Sequence, residues 1–500
     1  MKKMLKKTGV AVLSMAMLLS MGAMTAATAS AAGESITVGA GTGLTAGDKV
    51  CVYKVATKTA SGWAWDKTEY GTAVGADFAA ISNYDSSQIK AVAEKLARTV
   101  SGTPTATGVV GTAINVEEGY YLVTSAPKAA GLVAQPMLIE VKAGTAHSIT
   151  NVKTSPLNLT KVITKVENET DKVATGGKSA EASKGETIHY VITAQIPSYS
   201  PDATAIQDFV LTDVCDNTLA IDATTITARI QNNAGDSVPL NAEDAVSDVT
   251  ATTFKVTVKG NDTTDTDVKD NGGNDLVVEY DAVLGDNPTI SKGLGAGTSV
   301  EDTNRADANK NDVELTYGNN YSTGGGSDTD GDGDIDEDDE QPKLKDFADV
   351  YTSLLKINKT LDGTTAGAGD AAFALYADKA CTTVVRAAIE TDANGMVAFN
   401  GLSSGTYYLK ETKTPANFKT AAVAEVVLNV DDTKSVYVAP ANFTAMTTGG
   451  FETTIDNPSL ETLPATGGIG TYLFTIGGAA IVLLAGVLFV FYMKKRETEE

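Results

Sequence analysis

Along most of the chain, apolar residues recur at every second position in short runs, and Gly, Asp, Asn and Pro cluster between the runs. Side chains on an extended strand alternate between two faces, so this pattern predicts strands with one face buried. Many such strands in succession predict an all-β chain built of sandwiches. One stretch departs from the period of two. In Ser87–Thr99 (SQIKAVAEKLART), Ile89, Val92 and Leu96 recur at helical spacing.

The runs fall into three groups. Residues 32–154 hold DKVCVYKVA, YYLVTSA and PMLIEVK. Residues 155–351 open with LNLTKVITKV and hold TIHYVITAQIP, DFVLTDV, FKVTVKG, DLVVEYDAVL and VELTYGNN. Residues 352–459 open with SLLKINKTLDG and hold AAFALYAD, GTYYLKETKTP, AEVVLNV and FETTIDN. The polar insert 322–342 (STGGGSDTDGDGDIDEDDEQP) interrupts the middle group and reads as a loop before a closing strand, DFADVYT.

Both ends carry address segments. Lys2, Lys3, Lys6 and Lys7 precede an apolar run, and Ala29-Ser30-Ala31 forms a small-residue cleavage site, so residues 1–31 read as a signal peptide. Residues 460–500 hold Leu463, Pro464, Ala465, Thr466 and Gly467, an apolar run from about Tyr472 to Met493, and then Lys494, Lys495 and Arg496. That run has the length of a membrane-spanning helix, and the positive cluster places the tail in the cytoplasm.

Composition narrows the function classes. A formal charge of -24 excludes a nucleic-acid binder. Cys51, Cys215 and Cys381 are odd in number and far apart, so they read as small buried hydrophobes and not as a disulfide framework. The histidines number 2, and phosphate loops, zinc spacings and nucleophile elbows are missing, so no enzyme acting on an external substrate is expected. The insert holds Asp328, Asp330, Asp332, Gly333, Asp334, Asp336 and Asp339 in the D-x-D-x-D-G order of a calcium loop, with Ile335 at the apolar eighth position. Asp339 stands where Glu is usual, which weakens bidentate contact, and no helical periodicity flanks the loop. Calcium is the one cofactor this pattern suggests; the alternative is a solvated acidic linker.

Parity exposes a chemical pattern. Leu355, Ile357 and Lys359 share a face, as do Tyr407, Leu409 and Glu411, and Phe451, Thr453, Ile455 and Asn457. In the middle group, Lys161 lies in line with Leu157, Leu159 and Ile163, Asp213 with Phe209 and Leu211, and Asn319 with Val313, Leu315 and Tyr317. Lys165 shares the Lys161 face and is its rival. Buried Lys and acids are costly unless paired. One reading is a buried salt bridge. The other is a covalent one: burial favours the neutral amine and the neutral acid, the acid polarises the Asn carbonyl, and attack by the amine yields an isopeptide bond and ammonia.

The motifs resemble a known family. LPATG, apolar run and basic tail together resemble the cell-wall sorting signal of Gram-positive surface proteins, in which a sortase cysteine attacks after the threonine, here Thr466. SLLKINKT, GTYYLKETKTP and TTIDNPSLETLPATGG look like a collagen-adhesin B-type (Cna-type) domain of a sortase-assembled major pilin. The resemblance implies tandem immunoglobulin-like β-sandwich domains in a row. It also implies isopeptide bonds from Lys359 to Asn457 assisted by Glu411, and from Lys161 to Asn319 assisted by Asp213. In the first domain Lys54 and Asn151 stand at similar places, but Thr124 replaces the acid, so no bond is expected there. The family further implies a shaft subunit polymerised head to tail through a lysine. Relatives carry a VYPKN-like segment for this; here TNVKTSP stands near the junction and names Lys153. Implied partners are sortase, other copies of the chain, peptidoglycan, minor pilins and a host surface. The alternative is a single-copy wall-anchored adhesin or stalk.

Overall fold

A computed structural model describes residues 33–497 apart from 41–43, 82, 101–102, 127–130, 151, 168, 201–202, 233, 241–244, 262–266, 293–298, 327–342, 432–435 and 462–469. The signal peptide, the LPATG motif, Asn151 and the acidic residues 328–339 therefore lie outside the described residues.

In the first region, the strands Gly62–Trp65, Lys49–Thr59, Gly119–Ala126 and Met137–Val141 line up in that order, with Ala106–Val109 also on Lys49–Thr59. A smaller sheet of Ala113–Asn115, Ser35–Val38 and Ala146–Ile149 closes one core around Ile36, Val50, Val123 and Val141. Three helices cover the other side, over Tyr70, Phe78, Leu96 and Leu122. The predicted helix runs Ser86–Thr99, and Asp85 and Gln88 form a capping box at its start. The sequence reading missed the two shorter helices, Thr68–Val74 and Phe78–Ile81, which are too short to show a period.

The middle region is a sandwich of two antiparallel five-stranded sheets. One runs Leu159–Val166, Thr187–Gln195, Asp275–Leu284, Leu219–Gln231, Ser237–Pro239; the other runs Val246–Ser247, Thr253–Val258, Phe209–Cys215, Asn311–Thr316, Leu344–Phe347. Their inner faces share a core that includes Ile188, Ile192, Leu211, Phe254 and Leu315. Two details correct the sequence reading. The expected single closing strand breaks at Ala348: Leu344–Phe347 pairs with Asn311–Thr316, while Asp349–Tyr351 pairs in parallel with Ser179–Glu181. The insert also begins as a packed turn. The Gly324 carbonyl accepts from Gln207 N, and a Cβ on Gly324 would lie 2.5 Å from Ile206 Cγ1.

A fully buried arginine stitches the end of this region to its interior. Arg305 Nε donates to Asp349 Oδ2 at 2.6 Å and Nη2 to Oδ1 at 2.7 Å, and the guanidinium lies 4.1 Å from the Phe347 ring. Removing one partner of such a pair costs about 3–5 kcal/mol, because the other charge stays buried.

The third region is a smaller sandwich. In one sheet Thr364–Thr365, Ser353–Leu361, Phe451–Asn457 and Thr444–Ala445 line up, with Met396–Leu402 also on Ser353–Leu361. Val384–Glu390, Ala372–Tyr376, Gly405–Lys413, Ala424–Asp431 and Val436–Val438 form the other. Beyond it, the helix Gly470–Glu497 ends on Lys494, Lys495 and Arg496 and is long and apolar enough to cross a membrane.

Polar contacts join the three regions. From the helix Ser86–Thr99, Arg98 Nη1 donates to Ser200 Oγ at 3.0 Å and Lys90 Nζ to Tyr321 Oη at 3.1 Å. Between the second and third regions, Lys184 N donates to the Gly401 carbonyl at 2.9 Å, and the Ser183 and Ser403 hydroxyls meet at 2.9 Å. Gly401 has φ +68°, and a Cβ there would lie 2.6 Å from Lys184 Cβ, so only glycine fits.

Glu181 is buried at this second junction, and burial pushes its carboxyl above the ordinary 4.5. A carboxyl raised in the folded state destabilises the fold once pH exceeds its unfolded pKa, and the penalty vanishes below that pKa. Glu181→Gln is therefore expected to raise the melting temperature of this junction by a few degrees at pH 7, for about 1 kcal/mol. Calorimetry across pH should show the difference fading below the ordinary carboxylate pKa.

Candidate functional site

Two buried clusters of Lys, acid and Asn occupy the two sandwich cores. In the middle region, Lys161 comes from the edge strand of one sheet, and Asp213 comes from the facing sheet; both are 0% exposed. Lys161 Nζ lies 2.5 Å from Asp213 Oδ2 and 2.6 Å from Asn311 Oδ1. Tyr280 closes the ring: its hydroxyl donates to Asp213 Oδ1 at 3.0 Å and accepts from Asn311 Nδ2 at 2.8 Å. Tyr190 stacks on Tyr280 with centroids 5.1 Å apart, and Phe254 meets Tyr280 edge-on at 4.9 Å. Burial holds the Lys161 amine below its ordinary range and pushes the Asp213 carboxyl above its own. Both shifts favour an uncharged amine beside an uncharged acid.

The asparagine in this cluster is Asn311, not Asn319. The antiparallel register places Val313 opposite Asp213 and Asn311 opposite Cys215, so Asp213 faces the start of that strand. The strand stops at Thr316. Asn319 lies six residues beyond the Asp213 level, past the end of that strand. It is buried, and neither its Nδ2 nor its Oδ1 has a hydrogen-bond partner among the described residues. Parity alone admits both asparagines, because 311 and 319 are both odd.

The rivalry between Lys161 and Lys165 is settled by a bulge. The register shifts between Ile163 and Lys165, so Lys161 pairs with inward Ile192 while Lys165 pairs with outward His189. His189 itself bonds Asp281 Oδ1 at 2.5 Å through Nδ1 and the Glu167 carbonyl at 2.9 Å through Nε2, a structural role on the outer face. Side chains also grip the Lys161 backbone: its N–H donates to Asp346 Oδ2 at 2.6 Å, and its carbonyl accepts from Lys178 Nζ at 2.9 Å. These bonds satisfy an edge strand that has no further neighbour in its sheet.

In the third region Lys359, Glu411 and Asn457 are all buried. Asn457 Nδ2 donates to Glu411 Oε1 at 2.6 Å, and Ala421 N donates to Oε2 at 2.6 Å. The strands of Lys359 and Asn457 are parallel neighbours, with Lys359 paired to Ile455 and Leu361 to Asn457. Lys359 thus shares the face of Asn457 two residues behind it. Its Nζ donates to the Thr360 and Ile455 carbonyls, the latter at 3.1 Å. Burial lowers this amine too, against the opposing charges of Glu411 and Asp456.

The first region contains no such cluster among the described residues. Lys54 Nζ lies 3.6 Å from Glu117 Oε2 near the surface, and Thr124 sits opposite Cys51 on the strand that matches the one bearing Glu411. Cys51 and Cys215 are buried and Cys381 half-buried, and none of the three is in a disulfide. Lys153 is exposed and borders an open groove lined by Ile89, Ala93, Pro136, Met137 and Leu138.

Residues 353–442 match the SpaA family, described as a prealbumin-like fold domain, and residues 455–500 match the LPXTG cell wall anchor motif. No curated protein matches the chain. Among solved structures, the T6 backbone pilin of serotype M6 Streptococcus pyogenes, described as a modular three-domain structure, superposes with a TM-score of 0.56 at 14% identity, over 87% of this chain and 100% of that one. The Corynebacterium diphtheriae major pilin SpaA superposes with a TM-score of 0.50 at 18% identity, over 85% of this chain and 100% of that one. At such identities the likeness is one of fold. The chain is thus a cell-wall-anchored surface protein of the Gram-positive type, with a SpaA prealbumin-like domain, an LPXTG anchor and the fold of the backbone pilins.

Proposed function

We propose that this chain is the structural shaft subunit of a covalently polymerised pilus, braced from within by two self-formed isopeptide bonds, Lys161–Asn311 and Lys359–Asn457. It is not an enzyme acting on an external substrate. The observation that carries this reading is the 0%-exposed cluster in which Lys161 Nζ lies within 2.6 Å of both Asp213 and Asn311. A neutral amine held against a side-chain amide, with an acid on the same nitrogen, is arranged for single-turnover acyl transfer. In the third domain the trio is the same, but Lys359 must turn from the backbone carbonyls it now bonds toward Asn457. Sortase would join Thr466 of one subunit to a lysine of the next; Lys153 suits that role by its exposure near the first junction.

Each bond closes a long loop, which stabilises by about 5 kcal/mol if the chain-entropy relation for disulfides carries over. Intact mass of the full chain is expected to fall two ammonia molecules below the sequence value after signal removal. Asp213→Ala or Glu411→Ala should each restore one ammonia, and the double variant both. A wild-type mass with no deficit would remove the self-cross-linking claim.

The Asn311 assignment also changes the load path. Lys359–Asn457 joins the first strand of its domain to the last, but two more strands follow the one that bears Asn311, so residues 312–351 stay in series with the pull. Stretched at its ends, the middle domain should lengthen by about 130–140 Å, the contour of those residues alone. Lys161→Ala should extend by roughly 650 Å, as residues 162–311 join in. Single-molecule pulling separates the two outcomes.

For polymerisation, denaturing gels of wall extracts should show a ladder of large species that Lys153→Ala abolishes. A ladder that persists in this variant moves the linkage to another lysine. One dominant band in the wild type favours a single-copy stalk.

A further inference from the structure

The two clusters deliver their acid to the asparagine in different ways. In the third domain the Glu411 carboxylate touches Asn457 Nδ2 directly, at 2.6 Å. In the middle domain the shorter Asp213 does not; the Tyr280 hydroxyl stands between, 3.0 Å from Asp213 Oδ1 and 2.8 Å from Asn311 Nδ2. Nδ2 is the atom that must leave as ammonia. An amide nitrogen is a poor leaving group until it gains a proton, so whatever group holds Nδ2 decides how that proton arrives.

We propose that Tyr280 is a catalytic residue of the middle-domain reaction, relaying a proton from Asp213 to the departing nitrogen of Asn311. This rests on the cross-linking reading above. The step balances as follows. The neutral Lys161 amine forms the Nζ–Cγ bond, and the carbonyl electrons move to Oδ1. As Nδ2 turns from planar to tetrahedral it gains a lone pair, and its hydrogen bond to Tyr280 reverses. The Tyr280 hydroxyl, which donates to Asp213 Oδ1 at rest, turns to Nδ2; Nζ gives one proton to Asp213 Oδ2, Asp213 gives the proton then carried on Oδ1 to the Tyr280 oxygen, and Tyr280 gives its own proton to Nδ2. The carbonyl re-forms, the Cγ–Nδ2 bond breaks and ammonia departs. Asp213 and Tyr280 finish in the protonation states in which they began, so neither is consumed.

The surroundings suit this role. Tyr280 is buried, and stacking on Tyr190 and edge contact with Phe254 fix its ring. Tyr190 is its natural control. Its ring lies alongside, 5.4 Å from Lys161 Nζ, and its hydroxyl, close to Asn311, makes no hydrogen bond to Asp213.

Tyr280→Phe keeps the ring, its stacking and the core volume, and removes the relay. Full chain would be pulse-labelled during synthesis, and the Lys161–Asn311 and Lys359–Asn457 cross-links followed in time by peptide mapping, with thermal melting to verify folding. The expected result is a Lys161–Asn311 bond that forms at least about tenfold more slowly, a Lys359–Asn457 bond at the unsubstituted rate in the same molecules, and Tyr190→Phe at the unsubstituted rate for both. Wild-type pace in Tyr280→Phe, or equal slowing in Tyr190→Phe, overturns the relay while leaving the cross-links standing. Absence of both cross-links from the unsubstituted chain overturns the cross-linking reading and the relay with it.

Discussion

The removal of water from a lysine amine is the constraint on which this molecule turns. A charged ammonium buried alone costs several kcal/mol, and its attraction to a buried carboxylate only partly offsets that. The sandwich around Lys161 and Asp213 therefore favours the uncharged forms of both groups, and an uncharged amine is a nucleophile. Conversion of amine and amide into one secondary amide would discharge the tension, because the product has no ionisable nitrogen left to desolvate.

Several features of the middle sandwich position that amine. The bulge at Thr164 turns Lys165 outward and leaves Lys161 as the one inward lysine of its strand. Asp346 and Lys178 grip the Lys161 backbone from the open edge of its sheet. Arg305 binds Asp312, on the Asn311 strand itself, and Asp349, and so neutralises two further acids near the cluster. The third domain reaches the same three residue types with less machinery, since its lysine and asparagine sit on adjacent parallel strands and only the acid crosses the core.

These placements bear on the mechanics of a fibre. A bond between first and last strands would shield a whole domain, whereas one to an earlier strand would leave a tail in the load path. In the middle domain that tail is secured by the Arg305–Asp349 pair and by the parallel pairing of Asp349–Tyr351 with Ser179–Glu181. The hydrogen bonds at Gly401 and Ser403 join the middle domain to the third.

Much of this was legible in the residues themselves. Period-two alternation located most of the strands, helical spacing located Ser86–Thr99, and inward parity singled out Lys161, Asp213, Lys359, Glu411 and Asn457 as polar groups aimed at a core. The linear pattern could not say which asparagine meets Lys161, because parity repeats every two residues and carries no information about register. Tyr280 reads in sequence as one more inward aromatic. Antiparallel pairing of the Asp213 and Asn311 strands, a single bulged residue, and the packing of one sheet on the other chose Asn311, dismissed Lys165 and set a hydroxyl between acid and amide. Strand pattern is written locally, but which side chains touch across a core is decided by long-range register, and that exists only once the sheets have closed.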